Sequence, residues 1–420
     1  MEPARVLLSG PAGGVVGAAR AAREAGLSRI VTLDMGGTSA DVAFHRANTE
    51  MWESVSRAEV AGLPLGVPAL DIHTIGCGGG SIVHLDAGGI LHVGPASAGA
   101  DPGPVCHGRG GQLTVTDAHV YLGHIAAGPF LAGNFELDVD AVTRAFEKLG
   151  KRLGTAPLRA AQAVLEVARA AMRRAIGVET MQRGQDPKDL PVVAFGGAGG
   201  LQGAALAAAL GLPGALIPAL PGCLSAYGMA TADAISDQSQ TLLAPLAMWS
   251  GKARRKLAKE LAAAARSELR SAGHKAKSIE FEYSLELRYA GQAFELPVPD
   301  DFSPQIPTHF AQRHEELYGW ALTDVEIELV NLRVRALVRR PDVKHPRPRS
   351  KSLPKAAILG TRQADFDGPH LTPIVDRSAL KPGVQFKGPA LIEEFSGTTL
   401  LPPGWQARVT AGQHLWMQKG

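Results

Sequence analysis

The stretch that most constrains the fold of this chain is IVTLDMGGTSADVAF, at residues 30–44. Its first four residues form an apolar, β-branched run, which predicts a buried β-strand that ends at Asp34. Gly36 and Gly37 supply the backbone freedom that a tight turn needs, and Asp41 begins a return strand. The sequence therefore predicts a β-hairpin whose turn carries carboxylates and hydroxyls: Asp34, Thr38, Ser39 and Asp41.

This turn has the chemistry of a nucleotide site. Backbone N–H groups and hydroxyls can face phosphate oxygens, and a carboxylate can hold the water shell of Mg²⁺. It is not a Walker loop, because no Gly-Lys-Ser/Thr follows and the next element is predicted to be a strand. An ordinary polar hairpin without a ligand is the alternative interpretation of the same residues.

A second glycine-rich loop, at residues 196–200, lies between a predicted strand at 191–195 and a predicted Ala-rich helix at 201–210. The N-terminus of a helix exposes unpaired N–H groups and favours an anion. The loop fails as a Rossmann fingerprint, because the third glycine of G-x-G-x-x-G would fall on Gln202. Alone it also fits a packing turn, whereas together with the hairpin at Asp34 it suggests the adenosine side of a split nucleotide site.

Composition excludes several classes of protein. The net charge of the 420 residues is only +3, and the basic residues are scattered, so we expect no nucleic-acid partner. The most hydrophobic window, residues 203–220, is interrupted by glycine and proline and predicts a buried helix and strand instead of a membrane span. Three cysteines and an N-terminus without the apolar region of a signal peptide favour a cytoplasmic protein.

The region at residues 71–125 is unusually rich in glycine and predicts a long functional loop that contains one hairpin, around residues 86–89. Its polar side chains include Asp71, His73, Cys106 and Asp117, a mixed set that can bind Zn²⁺ or another divalent ion. Because no C-x₂-C or H-x₃-H spacing is present, hydrogen-bonded loop side chains are the alternative interpretation.

The length allows two or three domains, and changes in composition suggest where they divide. Residues 1–240 form an α/β domain, and residues 241–340 an α+β section with a charged helix at 251–272 and two strands around residue 290. A basic, Pro-rich linker follows at 341–355, before a small β-rich domain at 356–420. Asp233, Glu393 and Glu394 are further acid/base candidates by their location near loops.

A series of motifs then points to a family. They are SGPAGGVVGA, DMGGTSADVA, DIHTIGCGGGSI, VGPASAGADPGPVCHGRGG, TVTDAHVYLG, AFGGAGG, PGCLSAYGMATAD and LELRYAGQAFEL. Their order resembles that of the hydantoinase A/5-oxoprolinase family over nearly the whole chain. This family includes ATP-dependent N-methylhydantoinase, 5-oxoprolinase and the large subunits of acetone and acetophenone carboxylases. The resemblance implies an actin/Hsp70/sugar-kinase-like (ribonuclease H-like) ATPase domain with a long Gly-rich insertion and an extra C-terminal region.

The resemblance also implies roles for individual residues. Asp34, Gly36, Gly37 and Thr38, with Ser39 beside them, resemble a phosphate-binding hairpin, in which Asp34 and Asp41 are the expected catalytic carboxylates for ATP and Mg²⁺. The loop residues Gly196, Gly197 and Gly199 resemble the adenosine loop. The middle segment allows a metal site at Asp71, His73, Cys106 and Asp117. The family usually has histidine where Gln202 stands, which suggests that an imidazole is missing from the nucleotide loop here.

These implications lead to an expected function. The expected reaction is ATP-dependent hydrolysis of a cyclic amide, such as a hydantoin or 5-oxoproline, by phosphorylation of its carbonyl oxygen. Family members carry an upstream domain with a first phosphate loop, so we expect an N-terminal hydantoinase A domain or a hydantoinase B-type subunit as partner in an oligomer. Ketone carboxylation by the same chemistry and a non-catalytic scaffold are the alternatives.

Overall fold

The computed structural model describes residues 9–46, 55–56, 59–60, 63–64, 69–70, 72–127, 136–181, 184–341, 345, 347, 349 and 351–420. The chain divides into two compact units. The larger contains residues 1–230 and 344–420, and the smaller contains residues 231–343. Among the described helices, none is both long enough and apolar enough to cross a membrane.

The helices and strands follow one another in three segments. The first contains α1 (Ser9–Glu24), β1 (Arg29–Met35), β2 (Ala40–Arg46), β3 (Val55–Ser56), β4 (Glu59–Val60), β5 (Leu63–Pro64), β6 (Ala69–Leu70), β7 (His73–Ile75), β8 (Ser81–Leu85), β9 (Leu91–Ser97), α2 (Val115–Tyr121), α3 (Val139–Leu153), α4 (Pro157–Met181), β10 (Val192–Phe195), α5 (Gly199–Leu210), β11 (Ala215–Ile217) and α6 (Leu224–Thr231). The second contains β12 (Ala234–Pro245), α7 (Gly251–Ser271), β13 (Glu280–Tyr289), β14 (Leu296–Pro299), α8 (Ile306–Tyr318) and β15 (Ile327–Val338). The third contains β16 (Lys351–Ser352), β17 (Ile358–Asp365), β18 (Pro369–Asp376), β19 (Val384–Lys387), β20 (Ala390–Glu394), β21 (Gly397–Leu401), β22 (Trp405–Val409) and β23 (Leu415–Lys419).

The larger unit is built on a nine-stranded sheet with the order β16-β19-β22-β23-β11-β10-β1-β2-β7. Strand β1 is parallel to β10, and β10 is parallel to β11, whereas β2 is antiparallel to both of its neighbours. Alternate residues of β1 enter different cores, because side chains alternate across a strand. Ile30 packs in the cluster that contains α1 residues, while Val31 and Leu33 pack in the cluster that contains α4 and α5 residues. Burial on both faces explains the continuous apolar run.

The C-terminal strands do not form the separate domain that the sequence predicted for residues 356–420. Strand β23 pairs with β11, so that β23, β22 and β19 extend the central sheet. The remaining strands form a second sheet with the order β17-β18-β20-β21, and α5 packs on β21. The pairing covers an edge of β11 that would otherwise be open. Strand propensity alone does not reveal it, since the paired residues are about 200 positions apart, as in Leu216 and Trp416.

The smaller unit is an antiparallel sheet with the order β12-β15-β13-β14, and its core includes residues of α7 and α8. The predicted helix at 251–272 and the two strands around residue 290 are present. Its first boundary falls at residue 231, where the sequence suggested 241. Within the unit, Arg254 donates to both carboxylate oxygens of Asp300, at 3.1 and 3.2 Å, while the two side chains are almost fully buried. Asp233 accepts a hydrogen bond from the backbone N–H of Arg340 in the same unit.

Candidate functional site

The two glycine-rich turns singled out in the sequence lie side by side at one edge of the central sheet. Asp34, near the end of β1, is in register with Phe195, at the end of β10. Because these strands are parallel, the loops that follow them leave from the same edge. The N–H of Ala198 donates to the carbonyl oxygen of Met35 at 2.9 Å. Gly196 has φ +79°, and a Cβ there would lie 2.5 Å from Asp34 Oδ1, so only glycine fits at this contact.

The hairpin turn presents amide groups and keeps its carbonyl groups occupied. The N–H groups of Gly79 and Gly80 donate to the carbonyl oxygens of Gly36 and Gly37, at 2.9 and 2.6 Å. In the part of the chain that the structure describes, the N–H groups of Gly37 and Thr38 have no hydrogen-bond acceptor. Free backbone N–H groups in a tight turn can bind an anion.

Two carboxylates stand behind this turn. Asp34 and Asp41 are directly opposite each other in the β1–β2 ladder. Burial, and secondarily the charge of Asp41, raises the pKa of Asp34 to about 6, although a hydrogen bond from Ser225 Oγ to Asp34 Oδ2 at 3.4 Å opposes the rise. Asp41 accepts a hydrogen bond from Thr74 Oγ1 at 2.6 Å. Asp34 is therefore a largely buried carboxylate with little hydrogen-bond support.

Helices α1 and α6 bring Ser225 to the site. Residues 9–14 form the first turns of α1. A Cβ at Gly13 would lie 2.6 Å from the carbonyl oxygen of Ser225, so the absent side chain lets the backbone of α6 approach. Neither Ser225 nor Thr74 is among the site residues expected from the sequence. Both lie in quoted motifs, but only the fold brings their hydroxyl groups to the two carboxylates.

The C-terminal segment also contributes to this edge. The turn between β20 and β21 approaches the second glycine loop, since a Cβ at Gly397 would lie 3.0 Å from the carbonyl oxygen of Gly197. Burial raises the pKa of Glu394, beside this turn, to about 7, and the charge of Arg377 opposes the rise. Its neighbour Glu393 is instead paired with Arg362 at 2.8 Å. Glu394 ends β20 directly before this turn and is in register with Gly397.

Of the residues proposed for a metal site, the three that the structure describes, His73, Cys106 and Asp117, are not assembled around a common point. Asp117 is fully buried and accepts hydrogen bonds from the N–H groups of Val105, Cys106 and Thr114 and from the hydroxyl of Thr114, at 2.7–3.1 Å. Burial, and then Asp117, raises the pKa of the Cys106 thiol, which favours its protonated form. His73 lies exposed on the edge strand β7.

Asp71, the fourth residue of that proposal, lies outside the described residues. Among the residues that are described, no group of three or more His, Cys, Asp or Glu side chains could hold a metal ion. The lone pairs of Asp117 are used by the donors of its own loop. The environment of Asp117 and Cys106 therefore matches the alternative interpretation, that of hydrogen-bonded loop side chains.

Gln202 belongs to a buried polar network. Arg169 Nε donates to Gln202 Oε1 at 3.0 Å, and Gln202 Nε2 contacts His119 Nε2 at 2.8 Å. The Nδ1 atom of His119 in turn contacts the Nδ1 atom of His124 at 3.0 Å. His124 Nε2 must donate to the carbonyl oxygen of Asp365, at 2.6 Å, because a carbonyl only accepts. His124 Nδ1 then accepts from His119, and His119 Nε2 accepts from Gln202, so both imidazoles are neutral.

This network corrects the interpretation of position 202. Both ends of the Gln202 amide are used within the network, and the side chain is fully buried. The Gln202 side chain therefore serves the network and not the glycine-rich loop that precedes α5. Burial lowers the pKa of His119 well below its usual value and that of His124 to about 4, in agreement with two neutral rings.

The fold and these contacts define a mixed α/β protein with free turn amides beside a partly buried carboxylate. Residues 1–238 match the model of the hydantoinase/oxoprolinase family, and residues 250–417 match the model of the hydantoinase/oxoprolinase C-terminal domain. The chain therefore belongs to the hydantoinase/oxoprolinase family.

Three proteins are similar to this chain in sequence, in structure or in both. Caprolactamase subunit alpha from Pseudomonas jessenii is 33% identical over 95% of this chain and 59% of its own length, and 5-oxoprolinase from Dictyostelium discoideum is 30% identical over 96% and 34%. The crystal structure of the ATP-dependent caprolactamase superposes with a TM-score of 0.82 at 32% identity, over 98% of this chain and 61% of that chain. Nucleotide-free acetone carboxylase gives 0.83 at 24% identity, over the same shares, and shows similarity of fold alone. The chain thus spans about 60% of the length of the caprolactamase subunit.

Proposed function

We propose that the chain takes part in ATP-dependent hydrolysis of a cyclic amide of the hydantoin or 5-oxoproline type. The observation that carries the proposal is the contact between the two glycine turns, which sets free amides next to the poorly hydrogen-bonded carboxylate of Asp34. The names of two relatives, caprolactamase and 5-oxoprolinase, denote enzymes that act on cyclic amides. A partner with an N-terminal hydantoinase A domain, or a hydantoinase B-type subunit, would complete the assembly.

The order of the central strands supports the finer fold assignment. Strands β7-β2-β1-β10-β11, with β1, β10 and β11 parallel, have the arrangement expected of an actin/Hsp70/sugar-kinase-like, ribonuclease H-like ATPase domain. In such a domain the β1–β2 turn faces phosphate groups, and the loop before α5 faces adenosine. The proposed N-terminal hydantoinase A domain would supply the second half of the phosphate clamp.

Each part of the proposed site would bind a different part of Mg²⁺-ATP. The amides of Gly37 and Thr38 bind phosphate oxygens, with hydroxyl groups of Thr38 and Ser39 beside them. Gly196, Gly197 and Gly199 adjoin the adenosine at the start of α5, which has no side-chain N-cap. Asp34 and Asp41 fit Mg²⁺ with its water shell, because Asp34 retains unused lone pairs. Mg²⁺ would neutralise charge on the transferred phosphoryl group.

Phosphorylation solves a chemical problem of amide hydrolysis. The carbonyl oxygen of the cyclic amide attacks the γ-phosphorus, and ADP leaves. Water then adds to the activated carbon and the C–N bond breaks, which releases the amine and leaves an acyl phosphate. A second water hydrolyses the acyl phosphate to the carboxylate and inorganic phosphate. The turn amides hold the phosphoryl group in line with the attacking oxygen, which converts binding energy into orientation.

The test combines the full chain with a purified partner and measures ADP release on 5-oxoproline and hydantoins. We expect turnover that depends on the cyclic amide, and a loss of at least about 100-fold with Asp34→Asn. Asp140→Asn, at an exposed position of α3, is the matched control. Turnover only with a ketone and bicarbonate would select the carboxylase alternative. Absence of nucleotide binding in the complex, with assembly unaffected by Asp34→Asn, would select the scaffold.

A further inference from the structure

The larger unit contains a cavity of about 540 Å³ between α4, α5 and the C-terminal strands. Its residues are distinct from the turns at 34–41 and 196–199. The small alanine side chains on one face of α5 leave room for the cavity. The remaining walls are largely apolar and include Leu122, Leu165, Leu201, Phe366, Leu400 and Trp405. A volume of this size with a few polar groups is typical of a small-molecule site.

Arg169 provides a cationic end to this cavity. Its Nε atom is used by Gln202, but within the described residues its terminal nitrogens have no hydrogen-bond or ion-pair partner. The nearby carboxylate of Glu166 is already held by Arg159 through two contacts, of 2.6 and 3.1 Å. The two terminal nitrogens of Arg169 therefore remain available to a carboxylate within the cavity.

Asp367 provides an anionic group at the same cavity. It lies in the turn between β17 and β18, is exposed, and accepts no hydrogen bond from any residue that the structure describes. It is close enough to Arg169 and to Arg159 to interact electrostatically with both, but it forms no hydrogen-bonded ion pair with either. Asp365 differs, because its Oδ1 atom accepts a hydrogen bond from Gln162 at 2.8 Å.

The charges around the cavity balance. Three acidic residues, Glu166, Asp365 and Asp367, line it with Arg169 and Lys419, and Arg159 neutralises Glu166 from outside the lining. A ligand with net charge gains little from such a site, whereas a dipolar ligand can pair with both free ends. We propose that this cavity binds a zwitterionic amino acid, with its carboxylate on Arg169, its ammonium group on Asp367 and its methylene groups against the apolar walls.

The proposed ligand has the charges of a ring-opened cyclic amide, which bears an amine and a carboxylate on one carbon chain. This connection, but not the binding itself, rests on the proposed function. If both hold, the cavity is a product or effector site, separate from the turns that hold ATP.

Calorimetry on the full chain, without ATP or partner, tests the inference. The probes are 6-aminohexanoate, hexanoate and hexylamine, which have similar lengths and differ in charge. We expect 6-aminohexanoate to bind at least about tenfold more tightly than either single-charge probe. Asp367→Asn should weaken 6-aminohexanoate about tenfold and leave hexanoate unchanged, because only the ammonium contact is lost. Arg169→Lys, which retains the charge but loses the two-pronged donor, should weaken 6-aminohexanoate and hexanoate together.

A cavity-filling pair controls for folding. Ala208→Phe, at an exposed cavity position of α5, should abolish binding of every probe. Ala263→Phe, at an exposed position of α7 in the other unit, should leave binding unchanged. The inference is overturned if hexanoate binds as tightly as 6-aminohexanoate, if Ala208→Phe has no effect, or if no ω-amino acid from 4-aminobutanoate to 8-aminooctanoate binds. These outcomes leave the ADP-release test unaffected, so the two proposals fail separately.

Discussion

Asp117 and Asp34 are carboxylates in neighbouring glycine-rich surroundings, yet their environments are opposite. Asp117 is fully buried and accepts four hydrogen bonds from its own loop and helix N-terminus. Among the residues that the structure describes, Asp34 accepts one hydrogen bond, of 3.4 Å, from Ser225, and it lies across the ladder from the like-charged Asp41. The Asp117 carboxylate therefore holds its own loop in place, whereas the Asp34 carboxylate retains lone pairs that accept no hydrogen bond from the described residues.

This difference separates structural from functional carboxylates. A buried charge whose lone pairs are filled by backbone donors stabilises its loop and has nothing left for a ligand. A partly buried carboxylate with sparse hydrogen bonding and a raised pKa costs the folded state free energy and keeps lone pairs for a ligand, which is why we propose a functional role for Asp34. Substitution should therefore affect stability at Asp117 and function at Asp34.

The largest effect is expected for Asp117→Ala. The substitution leaves the N–H groups of Val105, Cys106 and Thr114 without their acceptor in a buried loop. We expect the free energy of unfolding to fall by about 3–5 kcal/mol, measured by urea denaturation. Asp140→Ala, at an exposed site, should change it by less than about 0.5 kcal/mol. A loss below about 1 kcal/mol at Asp117 would remove its structural role.

The second effect concerns the loop that touches Asp34. Gly196→Ala places a methyl group at φ +79° against Asp34 and Met35, and we expect a loss of about 2–3 kcal/mol in urea denaturation. Gly197→Ala is the matched control, because its Cβ would meet nothing closer than the carbonyl oxygen of Ser396 at 3.8 Å. Equal losses for the two variants would show that the Asp34 contact does not constrain the loop.

Much of this site could be predicted from the sequence, because the signals are local. The apolar run before Asp34 and the paired glycines specify the hairpin, and the strand–loop–helix pattern specifies the second turn. The role of Asp117 also had a local signal that the sequence analysis did not use. Thr114 and Asp117 have the spacing of a capping box, and they form one at the N-terminus of α2, a helix within the region expected to be a loop.

Other parts depended on contacts between distant residues. Ser225 reaches Asp34 across 191 positions of the chain, and the pairing of β11 with β23 connects residues about 200 positions apart. Such pairings depend on the topology of the sheet, which propensity and periodicity do not encode. The network at Gln202 shows the same limit, since its partners on α2 and α4 cannot be read from the loop motif.

The third effect concerns the buried histidines His119 and His124, whose hydrogen bonds can all form only when both rings are neutral. His124 contacts His119 and the carbonyl of Asp365, and it faces the charges of Arg169 and Arg362. Its pKa falls to about 4 in the folded protein, so the unfolded chain binds the proton first as pH decreases below about 6.5. The stabilisation is therefore complete above that pH and is lost on acidification.

The experiment compares the wild-type chain with His124→Gln, whose amide can accept and donate in the same positions without titrating. We expect the wild type to lose stability relative to the variant by about 1.4 kcal/mol per pH unit between about pH 6 and pH 4.5. The difference between the two proteins excludes the other titrating groups, among them Glu394, whose raised pKa acts in the opposite direction. Parallel pH profiles would mean that His124 is not held neutral.

The smallest change in stability is expected at the carboxylate with the proposed function. Asp34→Asn removes a buried charge that has one long hydrogen bond and faces Asp41, so unfolding free energy at pH 8 should stay the same or rise by up to about 1 kcal/mol. Nucleotide binding to the complex with the partner should be lost in the same protein, as measured by calorimetry. The two measurements together distinguish this residue from Asp117. A loss of stability as large as that of Asp117→Ala would make both carboxylates structural, and the proposed division of roles between them would no longer hold.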